Sequence, residues 1–188
     1  MWKKYGINSL VIISLLTIFL VRDFGLTDTN FSVIGNKEGR KLLLLLWGAF
    51  VGNFFFLYMD MLMRVVNCMD CVTRVFLLAS LFFLVIGVAI PYLPEQFPVL
   101  AKYHVGCSFL APVCFGIAQT RFLYVLQKKT GELWKSQWCI QLSISIISLW
   151  MLFLWEMVTS LLEIFLTFGM CLYLFSLYNK LEKIPHKE

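Results

Sequence analysis

The sequence predicts an all-α polytopic membrane protein: a single bundle of six transmembrane helices over residues 1–188, with both termini cytoplasmic. Three observations carry that prediction. The chain is 60% hydrophobic and only 14% charged, against about a quarter charged in ordinary soluble proteins. Its mean hydropathy is +0.81, more apolar surface than a soluble core of this length can hide. Six apolar runs, at 5–22, 42–63, 72–93, 103–125, 137–155 and 158–178, each approach the ~20 residues that cross a bilayer as helix. A soluble enzyme, a nucleic-acid-binding domain and a secreted disulfide scaffold are excluded on these grounds. The net charge of +5 comes from basic residues in short loops and at the termini, where they orient helices.

The first run follows a basic start, Met1 to Lys4, but no small-residue cleavage site follows Leu20. It is therefore expected to remain as a helix that also serves as the insertion signal. The longest connection, 23–41, holds Gly25, Asp28, Asn30, Ser32, Gly35 and Asn36, all turn formers. Asn30-Phe31-Ser32 fits the glycosylation pattern, which has meaning only in a eukaryotic secretory pathway.

The second run carries Gly48 and Gly52 in a G-x-x-x-G, a close-packing motif for a neighbouring helix. Asp60 precedes Arg64 by four residues, the spacing of an ion pair. Arg121 approaches the same level from the fourth run. Two bridges, Asp60–Arg64 or Asp60–Arg121, would neutralise a carboxylate that is costly in lipid. These three form a candidate inner charge cluster, read as a structural clamp ahead of a transport site.

Cys68-Met69-Asp70-Cys71 lies in the next loop. Two thiols at this spacing suit a redox pair or half a zinc site. No second Cys or His pair stands nearby to complete a metal shell, and the loop is predicted on the reducing cytoplasmic side. Inert or lipid-modified thiols are therefore favoured. No metal and no cofactor is expected.

The fourth run is the most patterned. His104, Cys107, Ala111, Cys114, Ala118 and Arg121 recur at intervals of three and four, which places them along one helical face. Its middle is small, so Ala111 and Ala118 join Gly48 and Gly52 as helix-packing candidates. A packing face is the favoured reading; a polar cavity lining is the alternative. The fifth run offers Gln141, Ser145 and Ser148 on one face, able to bond across to the fourth or sixth. The last two runs are joined by a tight turn at Trp155 to Met157.

Around that turn a second stripe begins: Glu156, Ser160, Glu163 and Thr167. Glu163 sits about 10 Å deeper than Glu156. A carboxylate within a membrane run must be paired, protonated or wet, and is a functional candidate by default. His104 lies at the same predicted outer level. His104, Glu156, Ser160 and Glu163 are the candidate outer polar pocket. Whether His104 and Glu163 face each other is left open.

Orientation follows from basic residues. With the N-terminus inside, eleven lie inside (Lys3, Lys4, Arg64, Arg74, Arg121, Lys128, Lys129, Lys135, Lys180, Lys183 and Lys187) and five outside (Arg22, Lys37, Arg40, Lys41 and Lys102). That excess places both termini in the cytoplasm. Trp2, Trp134, Trp138, Trp155 and Tyr178 fall near run ends, where amphipathic rings favour the interface.

The chain also resembles a known family. A short first helix leads to an outer loop with Asn30-Phe31-Ser32-Val33-Ile34-Gly35-Asn36, then a glycine-bearing helix. Later, Tyr103-His104 opens the fourth helix after a loop with Pro91, Pro94 and Pro98, and Ser108 follows a turn on. This layout is similar to the six-helix family of damage-regulated autophagy modulators and FGF-receptor-activating proteins, in particular its bacterial relatives. Ser32, Gly35 and His104 are the matching positions. The eukaryotic pattern commonly has an acidic residue after the loop serine, where this chain has Val33. The resemblance implies six helices and a role in membrane organisation, trafficking or lipid distribution.

Catalytic motifs add nothing. There is no G-x-S-x-G, no H-E-x-x-H, no glycine-rich phosphate loop and no arginine ladder. The leading expectation is a non-enzymatic protein of the cell membrane. Its partners are membrane lipids, and after them another membrane protein or a second copy; no nucleic acid is expected. That version requires His104 and Glu163 to line a lipid-accessible groove. A transporter or channel subunit requires instead a continuous polar path from them to Asp60 and Arg121. The third reading is a membrane enzyme, either thiol redox at Cys68 and Cys71 or lipid chemistry using His104 with Glu163.

Overall fold

The computed structural model describes residues 2–131 and 134–182, without the side chains of Trp2 and Lys3. Lys183, Lys187 and those two side chains therefore lie outside the described residues. Within them the chain forms seven α-helices and no strand: α1 (Trp2–Val21), α2 (Phe31–Lys37), α3 (Lys41–Val65), α4 (Cys71–Ala89), α5 (Pro98–Thr130), α6 (Lys135–Trp155) and α7 (Ser160–Leu181). All but α2 are long and apolar enough to cross a membrane. The protein is thus a multi-pass membrane protein, with the first and last described residues at the same end of the bundle. That end is called the termini end below, and the other the loop end.

Local chemistry sets the helix limits, and these correct several sequence-based boundaries. The expected third span reached residue 93, but α4 stops at Ala89. Pro91 disfavours helical backbone at the preceding residue, and Ile90 is extended (φ −66°, ψ 129°). The fourth span starts at Pro98, not 103, with the proline at the first helical position, where its missing N–H costs nothing. It runs to Thr130 and ends on Gly131 at φ 69°, a left-handed cap that glycine adopts without strain. At 33 residues α5 is about 50 Å long, well beyond a ~30 Å hydrocarbon core.

The connection 23–41, expected to be all turn, contains α2. Asn30 creates it: the side-chain Oδ1 accepts from Val33 N–H at 2.9 Å, the N-cap bond that starts a helix. Asp70 caps α4 likewise by accepting from Thr73 N–H at 2.9 Å. Thr159 caps α7 by accepting from Leu162 N–H at 3.2 Å. Residues 156–159 make the turn from α6 to α7, with Glu156 left-handed at φ 53°.

Small residues bring helices together. A Cβ on Gly48 would lie 2.9 Å from Val88, and one on Gly52 3.0 Å from Leu81. The G-x-x-x-G therefore seats α3 on α4. Between α4 and α5, a Cβ on Gly87 would meet Ser108 Oγ at 2.9 Å and its backbone N at 3.3 Å. Ser80 Oγ donates to the Ala111 carbonyl at 2.8 Å. The stripe with Ala111, Cys114 and Ala118 is buried, and α4·α5 is the most extensive helix pair.

Basic side chains at the loop end cap neighbouring helices. Arg40 donates to the carbonyls of Phe19 (2.9 Å) and Leu20 (2.8 Å) at the end of α1 and pairs with Asp23. Lys41 donates to the Val88 carbonyl at 2.7 Å. Four of the five basic residues assigned to that end lie in or beside the first loop, and two of them thus satisfy orphan helix carbonyls. At the termini end, Lys129 does the same for Val66 (2.8 Å) and Asn67 (2.7 Å). Trp134 departs from the interfacial expectation. It is fully buried, its indole N–H bonded to Thr130 Oγ1 at 3.2 Å and Lys180 stacked over the ring.

Candidate functional site

The helices do not pack evenly. Helix α5 lies tightly against α4 but stands off from α6 and α7. The space left between them is a cavity of about 840 Å³, within the ~300–1,000 Å³ of small-molecule sites. On α5 its wall runs from His104 to Thr120, sixteen residues or about 24 Å of helix axis. Val105, Phe109, Val113, Ile117 and Leu149 line it and are also exposed. The cavity therefore opens sideways, toward lipid.

Its loop end is polar. His104, Ser32, Ser108, Asn30, Tyr92 and Glu163 all line it there. His104 Nδ1 lies 3.0 Å from the Ile90 carbonyl. A carbonyl only accepts, so Nδ1 carries the proton, and Nε2 of the neutral ring is left as an acceptor. Ser32 Oγ lies 2.8 Å from Nε2 and donates to it. Ser108 Oγ stands at 3.5 Å from the same nitrogen. The Tyr92 ring covers the imidazole, centroids 5.2 Å apart.

Glu163 reaches the same place from α7. Its Oε2 accepts from Phe31 N–H at 2.7 Å. Phe31 is the first residue of α2 and 1% exposed, so Glu163 satisfies a buried orphan donor and fixes the residue next to Ser32. Two backbone bonds hold α7 to the same loop: Ser160 N–H to Thr29 O (2.7 Å) and Leu161 N–H to Leu26 O (2.8 Å).

Leu152, Leu162, Leu166 and Met170 supply apolar wall from α6 and α7, and Val113 and Ile117 continue it along α5. Pro112 has no N–H, so the carbonyl of Ser108 loses its helical partner at cavity level. The floor is Gln141, buried at 4% exposure. Its Nε2 donates to Thr120 Oγ1 at 2.8 Å and to the Gly116 carbonyl at 3.2 Å. The Tyr173 hydroxyl from α7 lies 3.4 Å from its Oε1. One amide thus joins α5, α6 and α7 and closes the cavity.

The sequence-based candidates divide accordingly. His104 and Glu163 line one cavity, as the groove expectation required. Glu156 and Ser160 do not line it. Glu156 is exposed in the α6–α7 turn because its backbone turns left-handed there; Ser160 is buried against Thr29. The wall of α5 is also not the stripe through Ala111 and Ala118 but the adjacent one, through Val105, Phe109, Pro112, Gly116 and Thr120. Gln141, Ser145 and Ser148 line the cavity from α6. Ser32 and Gly35, the loop positions of the family resemblance, separate too. Ser32 reaches the cavity, whereas a Cβ on Gly35 would lie 2.5 Å from Leu44, so Gly35 seats α2 on α3.

The inner charge cluster is rearranged. Asp60 pairs with Arg64 at 2.7 Å and approaches Arg74 at 3.7 Å. Arg121 does not bridge to Asp60. It binds both oxygens of Asp70, at 3.0 and 3.1 Å, because the cap of α4 sits opposite it. That bidentate guanidinium holds the Asp70 carboxyl down at about 2. None of Asp60, Arg64 and Arg121 lines the cavity.

Cys68 is buried, and burial pushes its thiol up, the opposite of what a nucleophilic thiolate needs. Cys71 is exposed, and both are free thiols. Among the described residues no group of three or more His, Cys, Asp or Glu is placed to hold a metal. No family model, curated protein or solved structure matches the chain.

Proposed function

We propose that the chain is a lipid-binding protein of the cell membrane, with its termini in the cytoplasm, and that one amphipathic lipid seats between α5 and the α6–α7 pair. One observation carries this reading. A cavity open to the bilayer carries Ser32, His104 and Glu163 at its loop end and mostly apolar side chains along its length, with Ser145 and Ser148 on the α6 wall and Thr120 and Gln141 at the far end. That is the polarity of a lipid: headgroup or ester at the loop end, acyl chain beneath. An acyl chain occupies one leaflet, about half of a ~30 Å core, and the ~24 Å wall on α5 is longer than that. The excess of basic residues, eleven against five, favours cytoplasmic termini, which puts the polar end in the outer leaflet. The resemblance to the autophagy-modulator and FGF-receptor-activating family supports a role in membrane organisation or lipid distribution.

A polar path to Asp60 draws no support from this geometry, since Gln141 closes the cavity and Asp60 is committed to Arg64. The binding reading is tested by native mass spectrometry after purification in mild detergent, comparing wild type with S145W. Ser145 lines the cavity and is half-buried, so an indole there fills it. Wild type is expected to retain one lipid and S145W to lose it at unchanged melting temperature. No lipid on wild type, or equal lipid on S145W, overturns the reading.

A further inference from the structure

The contact between Ser32 and His104 has the arrangement of a nucleophile and its base. A serine hydroxyl is a weak nucleophile until a neighbouring imidazole takes its proton. The base must present an unprotonated nitrogen within about 2.6–3.2 Å and be held there by a third group. All three conditions are met. Ser32 Oγ is 2.8 Å from His104 Nε2. The Ile90 carbonyl, 3.0 Å from Nδ1, fixes the tautomer that leaves Nε2 free to accept. Both side chains line the cavity, at the level where the ester of a lipid held chain-downward would lie. A bond serving only to tie α2 to α5 would not need to face a cavity.

We propose that Ser32 is an acyl-accepting nucleophile and that the protein transfers an acyl group from a membrane glycerolipid; the proposal rests on the lipid-binding reading above. Ser32 Oγ attacks the ester carbonyl carbon while its proton passes to His104 Nε2. The C–O bond to the glycerol oxygen then breaks, and that oxygen takes the proton from His104. The products are a lysolipid and an ester of Ser32. Water, or the hydroxyl of a second lipid, attacks that ester with His104 as base, and Ser32 Oγ recovers the proton. No oxidant, reductant or metal enters the balance. Asn30 and Tyr92 line the same end and supply the N–H and O–H donors that a tetrahedral oxyanion requires. Glu163 is a positioning residue, acting through Phe31.

The test uses the full chain in nanodiscs of phosphatidylglycerol with isotope-labelled acyl chains. After acid quench, peptides spanning Ser32 are examined for the acyl adduct, lysolipid is quantified, and bound intact lipid is measured on the same sample by native mass spectrometry. A fluorophosphonate with an alkyl tail is applied in parallel. Wild type is expected to show an adduct or probe label at Ser32 and to release lysolipid. S32A is expected to show neither when adduct and lysolipid are expressed per lipid bound on the same sample. H104Q should lower lysolipid release by about 100-fold or more, the usual contribution of a general base. Wild type that holds intact lipid but never gives adduct, label or lysolipid overturns the acyl-transfer proposal and leaves the binding reading standing. Wild type without bound lipid, adduct or lysolipid overturns both. Lysolipid release undiminished in S32A overturns the role of Ser32.

Discussion

Ser32 and His104, seventy-two positions apart, share a hydrogen bond of 2.8 Å, and that bond is where the first extramembrane loop meets α5, the fourth membrane-spanning helix. Everything around it holds the two residues in place. Asn30 starts the short helix that carries Ser32, Glu163 anchors that helix from α7, and Pro91 ends α4 so that the Ile90 carbonyl can face the imidazole.

Removing Glu163 separates its acceptor role from its charge. E163A leaves the Phe31 N–H buried without its partner, which costs about 1–3 kcal/mol. E163Q keeps a carbonyl oxygen in the same position and should stay within about 1 kcal/mol of wild type. Thermal unfolding in a single detergent measures both. Equal destabilisation by the two variants would show that the charge, not the bond to Phe31, matters.

Gly87 controls how close α4 comes to α5. Its absent side chain leaves room for Ser108, one turn after His104 on α5. G87V should destabilise by about 1–3 kcal/mol through overpacking. It should also lower lipid retention, because Ser108 is displaced from the polar end of the cavity. A G87V protein with wild-type stability and lipid content would contradict the close approach.

The Asp70–Arg121 pair has a definite pH dependence. The folded carboxyl lies at about 2, below its ordinary 3.8. The carboxylate is therefore favoured in the folded state, and its contribution is complete above about pH 4 and lost as pH falls through about 2. D70N keeps an N-cap residue and removes only the charge. The gap in unfolding temperature between wild type and D70N should be constant from pH 8 to 5 and should shrink below 4. D70A forfeits the cap as well, about 0.5–2 kcal/mol more. A gap that widens in acid would contradict the pairing.

Much of the fold is legible in composition and period alone. Six spans follow from run length, and the tight seating of α3 on α4 follows from Gly48 and Gly52. His104 and Glu163 stand out because charge and imidazole are rare in apolar runs. That both line one cavity is not legible, because no local pattern says which faces of α5 and α7 oppose each other. The α5 stripe shows the limit well. Its regular small residues mark the face that packs on α4, while the cavity wall beside it, Val105 to Thr120, reads as ordinary lipid-facing sequence. Depth and spacing allow Asp60 either Arg64 or Arg121; the structure pairs it with Arg64, and the α4 cap Asp70 takes Arg121. Ser32 sat in a loop of turn formers, and only the N-cap at Asn30, three residues ahead of the N–H it binds, signalled a helix there.

Photo-crosslinking tests the central claim most directly: that a lipid chain occupies the space between α5 and α6–α7. Phosphatidylglycerol with a diazirine at the acyl terminus is reconstituted with the protein, irradiated, and the adducts mapped by mass spectrometry. Val113 and Ile117 are 39% and 40% exposed, whereas Leu78 and Phe82 on the outer face of α4 are 50% and 59% exposed. Random contact with bulk lipid would therefore label α4 more. The expected result is the reverse, with adducts concentrated on Val113 and Ile117 and abolished there by S145W. Labelling of α4 equal to or above that of the cavity wall, unchanged by S145W, would contradict the account.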